Sequence, residues 1–240
     1  MAIDDTYTKS LLHMDGANNG TTFTDESGKT WTAENTAKLS TTSPKFGTAS
    51  GIFDGNAATC VDTPAATDFN VGSGDFTIDL WFKKQLNAVA QLVYGQTKSD
   101  GSAANASFYA YIDVDGANHP TAGVKVGAAD YCVVSAGAIT DTSWHHWAFT
   151  RYGNYLHLYI DGTEVGTQKD VTGLSVNAST YKFAIGRYGE YAGTNFSGYV
   201  DEFRFSKGIA RWIANFSPPT APYGPSAAGV PIATAPFFMI

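Results

Sequence analysis

Trp144-His145-His146-Trp147-Ala148-Phe149-Thr150-Arg151 is followed at once by Tyr152-Gly153-Asn154, and then by Tyr155-Leu156-His157-Leu158-Tyr159-Ile160-Asp161-Gly162-Thr163. In the first half Trp147, Phe149 and Arg151 alternate with His146, Ala148 and Thr150. In the second, Leu156, Leu158 and Ile160 alternate with Tyr155, His157 and Tyr159. A period of two places each set on one face of a strand, so both halves predict strands with a core face. Tyr152-Gly153-Asn154 reads as a tight hairpin, and Asp161-Gly162 is a type I′ signal because both central positions of that turn need positive φ.

Working outward, Asp75–Lys83 repeats the pattern, with Phe76, Ile78, Leu80 and Phe82 against Thr77, Asp79, Trp81 and Lys83. These three segments predict a meander. Further strands are expected at Ala90–Gln96, Ser107–Val114, Ala122–Val126, Tyr131–Val134, Tyr181–Ile185 and Phe196–Phe205, separated by clusters of Gly, Asn, Asp, Ser and Thr. Helical periodicity is almost absent, and only Lys207–Ile213 reads as a short helical turn, with Ile209, Trp212 and Ile213 capping one end. The fold class is therefore all-β, and 240 residues suit one large sandwich.

Composition excludes several functions. Only 15% of the chain is charged, with 15 Lys and Arg against 22 Asp and Glu, and the net charge of −7 lacks the basic footprint that phosphate neutralisation needs. Nucleic acid is not an expected partner, and no apolar run reaches the roughly 18 residues of a membrane span. Cys60 and Cys132 make neither a disulfide framework nor a zinc site, so two free, buried thiols are expected. The first residues carry acids where a signal peptide carries positive charge, which predicts synthesis in the cytoplasm without a conventional export signal.

Charge is also unevenly placed. Arg211 is the last charged side chain, and six of the nine prolines lie between Pro218 and Pro236. Proline removes backbone donors and favours extended conformation. Residues 1–216 are thus read as the β domain and residues 217–240 as an uncharged Pro-rich arm, with Pro218, Pro219, Tyr223, Phe237, Phe238 and Ile240 as its contact residues. The arm is expected to lie on its own domain or to dock into a neighbour, with a disordered tail as the alternative.

The order of Asp25-Glu26-Ser27-Gly28, Phe53-Asp54-Gly55, Phe76-Thr77-Ile78-Asp79-Leu80-Trp81, the 144–162 stretch and Gly198-Tyr199-Val200-Asp201-Glu202-Phe203-Arg204 resembles the laminin-G-like, concanavalin A-like lectin/glucanase jelly roll. The resemblance covers about residues 10–216. Ser206-Lys207-Gly208-Ile209-Ala210-Arg211-Trp212, with Asn215-Phe216-Ser217-Pro218-Pro219-Thr220 after it, looks like the variant found in bacteriophage and prophage structural proteins. It implies a jelly-roll sandwich of two antiparallel sheets with loops gathered on a concave side. It also implies a virion location, with other virion proteins and further copies of the chain as partners.

Many members of the resembled family hold a structural calcium ion, and the resemblance assigns it here to Asp201 with Asp15 and Asp25. By strand phase Asp201 shares a face with Phe203 and Phe205, so it is expected to be buried and satisfied either by a cation or by N–H groups. Asp113-Val114-Asp115-Gly116 reads as a hairpin turn. His145 and His146 point to opposite faces and cannot readily share a metal, so His146 reads as a hydrogen-bonded structural histidine beside Trp144 and Trp147. Glucanases of this fold use Glu-x-Asp-x-x-Glu, and no such string occurs here; catalytic residues are therefore not assigned. Arg187, Tyr188, Glu190, Tyr191 and Asn195, on a glycine-rich connection, are the candidates for glycan binding, with Tyr94, Tyr109, Tyr111 and Asn154 secondary. Their alternative role is to cover the sandwich ends or contact protein. The expected function is a non-catalytic virion structural protein, a capsid decoration or tail-fibre component with some adhesion to glycans. A dedicated receptor-binding lectin is the alternative and a glycoside hydrolase the second.

Overall fold

The computed structural model describes residues 5–56, 58–85, 91–97, 105–112, 117–187 and 195–224. Its strands are β1 (Thr8–Leu12), β2 (Thr22–Thr24), β3 (Thr30–Glu34), β4 (Lys38–Ser40), β5 (Ser50–Asp54), β6 (Cys60–Thr63), β7 (Phe76–Lys84) and β8 (Gln91–Gly95). They continue with β9 (Phe108–Ile112), β10 (Pro120–Val126), β11 (Ala129–Val134), β12 (His145–Tyr152), β13 (Tyr155–Ile160), β14 (Thr163–Asp170), β15 (Phe183–Ile185) and β16 (Ser197–Lys207). They form two antiparallel sheets. The first runs β14-β13-β12-β7-β16-β5-β4 with β1 also paired to β16, and the second runs β11-β10-β9-β8-β15-β6-β3-β2. Among the described residues no helix is long and apolar enough to cross a membrane.

The alternating segments sit where their period places them. β7, β12 and β13 are neighbours, pairing Leu80 with Trp147 and Phe149 with Leu158. Phe76, Ile78, Leu80 and Phe82 meet Val93, Phe108, Phe183 and Ile185 of the second sheet in one core. Phe183 lies at its centre, stacked on Phe69 at 5.0 Å and on Tyr94 at 5.9 Å between ring centroids. The expected secondary glycan residue Tyr94 is thus a core side chain. Asn154 lies exposed at the β12–β13 hairpin, on the other sheet from the Arg187 loop. The Asp113–Gly116 turn lies outside the described residues.

Three expectations need correction. The first concerns β16, where Asp201 faces Trp81 and Arg204 faces Asp79, so that Glu202 and Phe203 together oppose Leu80. Glu202 has φ of 52°, and this bulge shifts the phase by one residue. Phe203 and Phe205 enter the core while Asp201 and Arg204 lie on the outer face of the sheet. Asp201 is buried as expected, but under a loop rather than between the sheets.

The second is the helical turn at Lys207–Ile213. After Gly208, at φ of 88°, the chain runs without helix across the outer face of the first sheet. Its polar groups bond to the sheet and not to each other: the Thr77 hydroxyl donates to the Ile209 carbonyl, Arg211 N–H donates to Thr77 Oγ1, and Phe216 N–H donates to the Gly162 carbonyl. Trp212 and Phe216, stacked at 4.4 Å, close over Ala148 and Tyr159. Tyr223 fills a second cluster with Leu11 and Trp81, flanked by Phe46 and Trp144. Residues 217–223 therefore lie on the β domain, one of the two courses expected for the arm. Tyr223 is buried, and Pro218 and Pro219 are half-buried. Phe237, Phe238 and Ile240 lie outside the described residues. The third is a thiol: both cysteines are free and Cys60 is buried, but Cys132 is only half-buried.

Candidate functional site

The two sheets offer two outer faces. On the first, β7, β12 and β16 present Asp79, His146 and Arg204, all buried. Arg204 grips Asp79 through Nε at 3.1 Å and Nη2 at 2.7 Å, a two-pronged geometry that suits a guanidinium and a carboxylate. Tyr223 completes the network. Its ring lies 4.1 Å from the Arg204 guanidinium, its hydroxyl bonds His146 Nε2 at 2.9 Å, and its N–H donates to Glu202 Oε2 at 2.7 Å. Glu202 also holds His13 Nδ1 at 2.9 Å, and this bond raises the His13 pKa above the ordinary 6.5. Burial pushes His146 down to about 4, so it stays neutral at pH 7 in its structural role. Residues 208–224 cover this network and its neighbours Trp81, Ala148 and Tyr159.

The three carboxylates assigned to calcium are not gathered into one centre. Asp25 accepts from Ser10 Oγ at 2.6 Å, Ser27 N–H at 2.6 Å and Trp31 Nε1 at 2.9 Å, which leaves it facing donors. Asp15 is exposed and accepts from Thr48 Oγ1 and Ala49 N–H. Asp201 accepts from the N–H groups of Lys45, Phe46 and Glu202 at 2.8, 3.2 and 2.9 Å. Burial pushes its pKa up to about 8 against the pull of those N–H groups. Each carboxylate has the positive ends of amide or hydroxyl dipoles aimed at it, where a cation needs oxygen. Among the described residues no group of three His, Cys, Asp or Glu side chains is arranged to hold a metal. The residues present do not fit the ion.

The outer face of the second sheet is built differently. Register across it aligns Thr32, Asp62, Ala184, Gly95, Tyr109, Gly123 and Cys132 in one row. Asp62 and Tyr109 stand three strand spacings apart, roughly 14 Å, with only Ala184 and Gly95 between them. Tyr109 lies over Gly123, where a Cβ would collide with its ring, and it stacks on Tyr111 at 6.0 Å. At the other end Asp62 is buried and clamped by Lys182 at 3.0 Å and by Arg187 at 3.1 Å.

This row anchors the connection singled out in the sequence. Arg187, at its start, is tied to Asp62. Asn195, at its end, bridges to Leu92 and donates from Nδ2 to the Asn56 carbonyl at 2.6 Å. Leu92 in turn pairs with Tyr111. Arg187 Nε and Asn195 Oδ1 are buried polar atoms with no hydrogen-bond partner among the described residues, a donor and an acceptor left open at the two ends of one loop. Tyr188, Glu190 and Tyr191 lie outside the described residues. Sequence reasoning had missed Asp62 and Lys182, because an alternating Cys-Val-Asp-Thr strand carries no signal that its aspartate meets cations more than a hundred residues away. Chemically the arrangement supplies directed polar contacts beside tyrosine rings. Asp62 is committed to two cations.

A family model described as the concanavalin A-like lectin/glucanases superfamily matches residues 54–210, well over half of the chain. No curated protein matches it in sequence. Among solved structures, the binding domain of Paraclostridial Mosquitocidal Protein 1 superposes with a TM-score of 0.67 at 12% identity, covering 85% of this chain and 50% of that one. Domain 4 of AbnA, an extracellular arabinanase from Geobacillus stearothermophilus, solved in complex with arabinotriose, gives 0.62 at 16% identity and covers 84% of this chain and 93% of that one. The binding domain of botulinum neurotoxin DC, in complex with SialylT, gives 0.63 at 16% identity over 87% of this chain and 50% of that one. The chain thus spans about half the length of the toxin binding domains it matches, and at these identities the likeness is one of fold.

Proposed function

This chain belongs to the concanavalin A-like lectin/glucanase superfamily, and from that premise we propose that it is a non-catalytic adhesion domain of a bacteriophage particle. In this reading it binds surface glycans through the Arg187–Asn195 loop and assembles through residues after 224. The observation that carries the adhesion half is the pair of buried polar atoms without a partner among the described residues, Arg187 Nε and Asn195 Oδ1, where Arg187 is tied to Asp62 in the row of Tyr109 and Asn195 bridges to Leu92, the strand partner of Tyr111. Sugars are held by aromatic faces and a few convergent polar groups; Tyr109 is buried, and the half-buried Tyr111 supplies such a ring beside the buried ends of the loop. Two fold neighbours were solved with a saccharide or SialylT bound, which supports the same reading.

The particle half rests on the Ser206–Trp212 and Asn215–Thr220 stretches that resemble phage structural proteins, and on an uncharged tail. Residues 208–224 cover the part of the first sheet's outer face around Trp81, Ala148 and Tyr159, which supports a reading in which the tail leaves the domain from that side. A non-catalytic role accords with Asp62, whose carboxylate is committed to Lys182 and Arg187.

The test is a glycan array read with the native chain and with Arg187→Ala, beside incorporation into particles of the full chain and of a chain ending at Gly224. The expected result is array signal lost in Arg187→Ala and incorporation lost without the tail. An array silent for the native protein rejects adhesion, and unchanged incorporation of the shortened chain rejects the assembly role. Strong glycan binding together with that second outcome identifies a dedicated receptor-binding lectin instead.

A further inference from the structure

A second concave site lies at the end of the first sheet where β7, β16 and two loops meet. It is a cavity of about 450 Å³ lined by Thr42, Ser43, Lys83, Lys84, Gln85, Thr142 and Tyr199, within the range that holds small ligands, and the Lys84 ammonium is bound to Asn118 Oδ1 at 2.7 Å. Lys83 and Tyr199 are cross-strand partners, which puts both on the outer face of the sheet. Thr42 and Ser43 come from the β4–β5 loop, and Thr142 from the segment that leads into β12.

The walls are fixed. Ser50 Oγ donates to the Ser43 carbonyl at 2.9 Å, Thr42 N–H donates to Ser40 Oγ at 3.2 Å, and Asp201 receives the N–H groups of Lys45 and Phe46 just beyond. On the opposite side Trp144 packs against the Tyr199 ring at 6.5 Å. Loop backbone that is already held loses less conformational freedom on binding.

Its chemistry is one-sided. No carboxylate lines the cavity, although the chain carries a net charge of −7. Lys83 donates to Ser43 Oγ at 3.1 Å and lies 5.9 Å from the Tyr199 ring, and it makes no ion pair among the described residues. An ammonium offers three donors, so two remain for a ligand. Around it stand three hydroxyls, one amide and one aromatic ring. We infer that this cavity binds the carboxylate-bearing residue of an acidic sugar, its carboxylate on Lys83, its hydroxyls on Thr42, Ser43, Thr142 and Gln85, and its ring against Tyr199. Such a site adds selectivity for acidic glycans and is independent of the Arg187 loop.

The experiment titrates the full ¹⁵N-labelled chain with glucuronate, N-acetylneuraminate, glucose and inorganic phosphate. Glucuronate or N-acetylneuraminate is expected to saturate in the millimolar range, shifting the amides of residues 42, 43, 83, 85, 142 and 199, with glucose at least ~10-fold weaker. Lys83→Met, a half-buried change expected to leave the melting temperature intact, loses the acidic sugars at least ~10-fold, whereas Arg187→Ala leaves them bound. Conversely, Lys83→Met retains the Arg187-dependent array signal, so failure of one site is distinguishable from failure of the other. The inference is overturned by no saturable shifts with either acidic sugar, by equal binding of glucose, or by full retention in a folded Lys83→Met. Phosphate matching the acidic sugars on the same amides reduces the site to a plain anion site and overturns the sugar assignment.

Discussion

Replacing Tyr223 by alanine tests whether the segment after Trp212 is part of the domain. The side chain is 4% exposed, packs with Leu11 and Trp81, lies over Arg204, and bonds His146 through its hydroxyl. Deleting a buried aromatic costs roughly 3–5 kcal/mol when the surroundings cannot collapse. Here there is a limit, because residues 217–224 can detach instead of tolerating the hole, and each freed residue recovers on the order of 1 kcal/mol of backbone entropy. The expected loss is therefore about 2–4 kcal/mol. Tyr223→Phe keeps the packing and removes only the bond to His146, for about 1 kcal/mol. Ending the chain at Gly224 removes none of these contacts and is expected to change stability by less than about 0.5 kcal/mol. Urea unfolding followed by tryptophan fluorescence measures all three, since Trp81 and Trp212 flank the site. Tyr223→Ala within about 0.5 kcal/mol of the native chain refutes the reasoning, as does a Gly224-terminated chain that is as unstable as Tyr223→Ala.

Three further outcomes follow from the same geometry. By NMR titration His146, buried and neutral, is expected to take up a proton only near pH 4, whereas His13 and His145 titrate above 6.5 because Glu202 and Asp161 hold their charged forms. By linkage, the two paired histidines contribute stability that is fully present below pH 6.5 and is lost as pH rises through their folded values, while His146 removes stability as pH falls from 6.5 toward 4; a His146 that titrates at 6.5 contradicts its burial. Gly162→Ala is expected to cost more than about 1 kcal/mol, because Gly162 has φ of 75° and its new Cβ collides with the Phe216 carbonyl; an unchanged melting temperature excludes the docking of Phe216 at this turn. Calcium and a chelator are each expected to leave the melting temperature unmoved, since Asp15, Asp25 and Asp201 face donors, and a rise with calcium refutes that account.

The all-β class and the core faces of β7, β12 and β13 were legible because a strand's alternation is a local property, visible wherever one face is buried and the other is not. The Asp161-Gly162 turn was legible for the same reason, through the positive φ of both residues. Arg187 and Asn195 could be nominated from residue type, but their partner Asp62 could not, because strands distant in sequence bring it to them. The bulge at Glu202 was hidden too: one extra residue in β16 sends Asp201 and Arg204 to the outer face while Phe203 stays inside, and nothing in Asp-Glu-Phe-Arg marks where the slip falls.

The segment after Gly208 shows the boundary most plainly. Its apolar spacing fits a helical turn, and its prolines and missing charge mark an extended arm. The choice between them, and the point where domain ends and arm begins, depended on Thr77, Gly162, Glu202 and His146 waiting on the sheet surface with unmet donors and acceptors. Local periodicity and turn chemistry belong to neighbouring residues, so the sequence by itself determined which segments are strands and which faces seek the core. Partners for exposed backbone and buried charge are assembled from strands far apart in the chain, so only the tertiary structure decided where Asp201 points, what lies over the first sheet, and which cavity Lys83 lines.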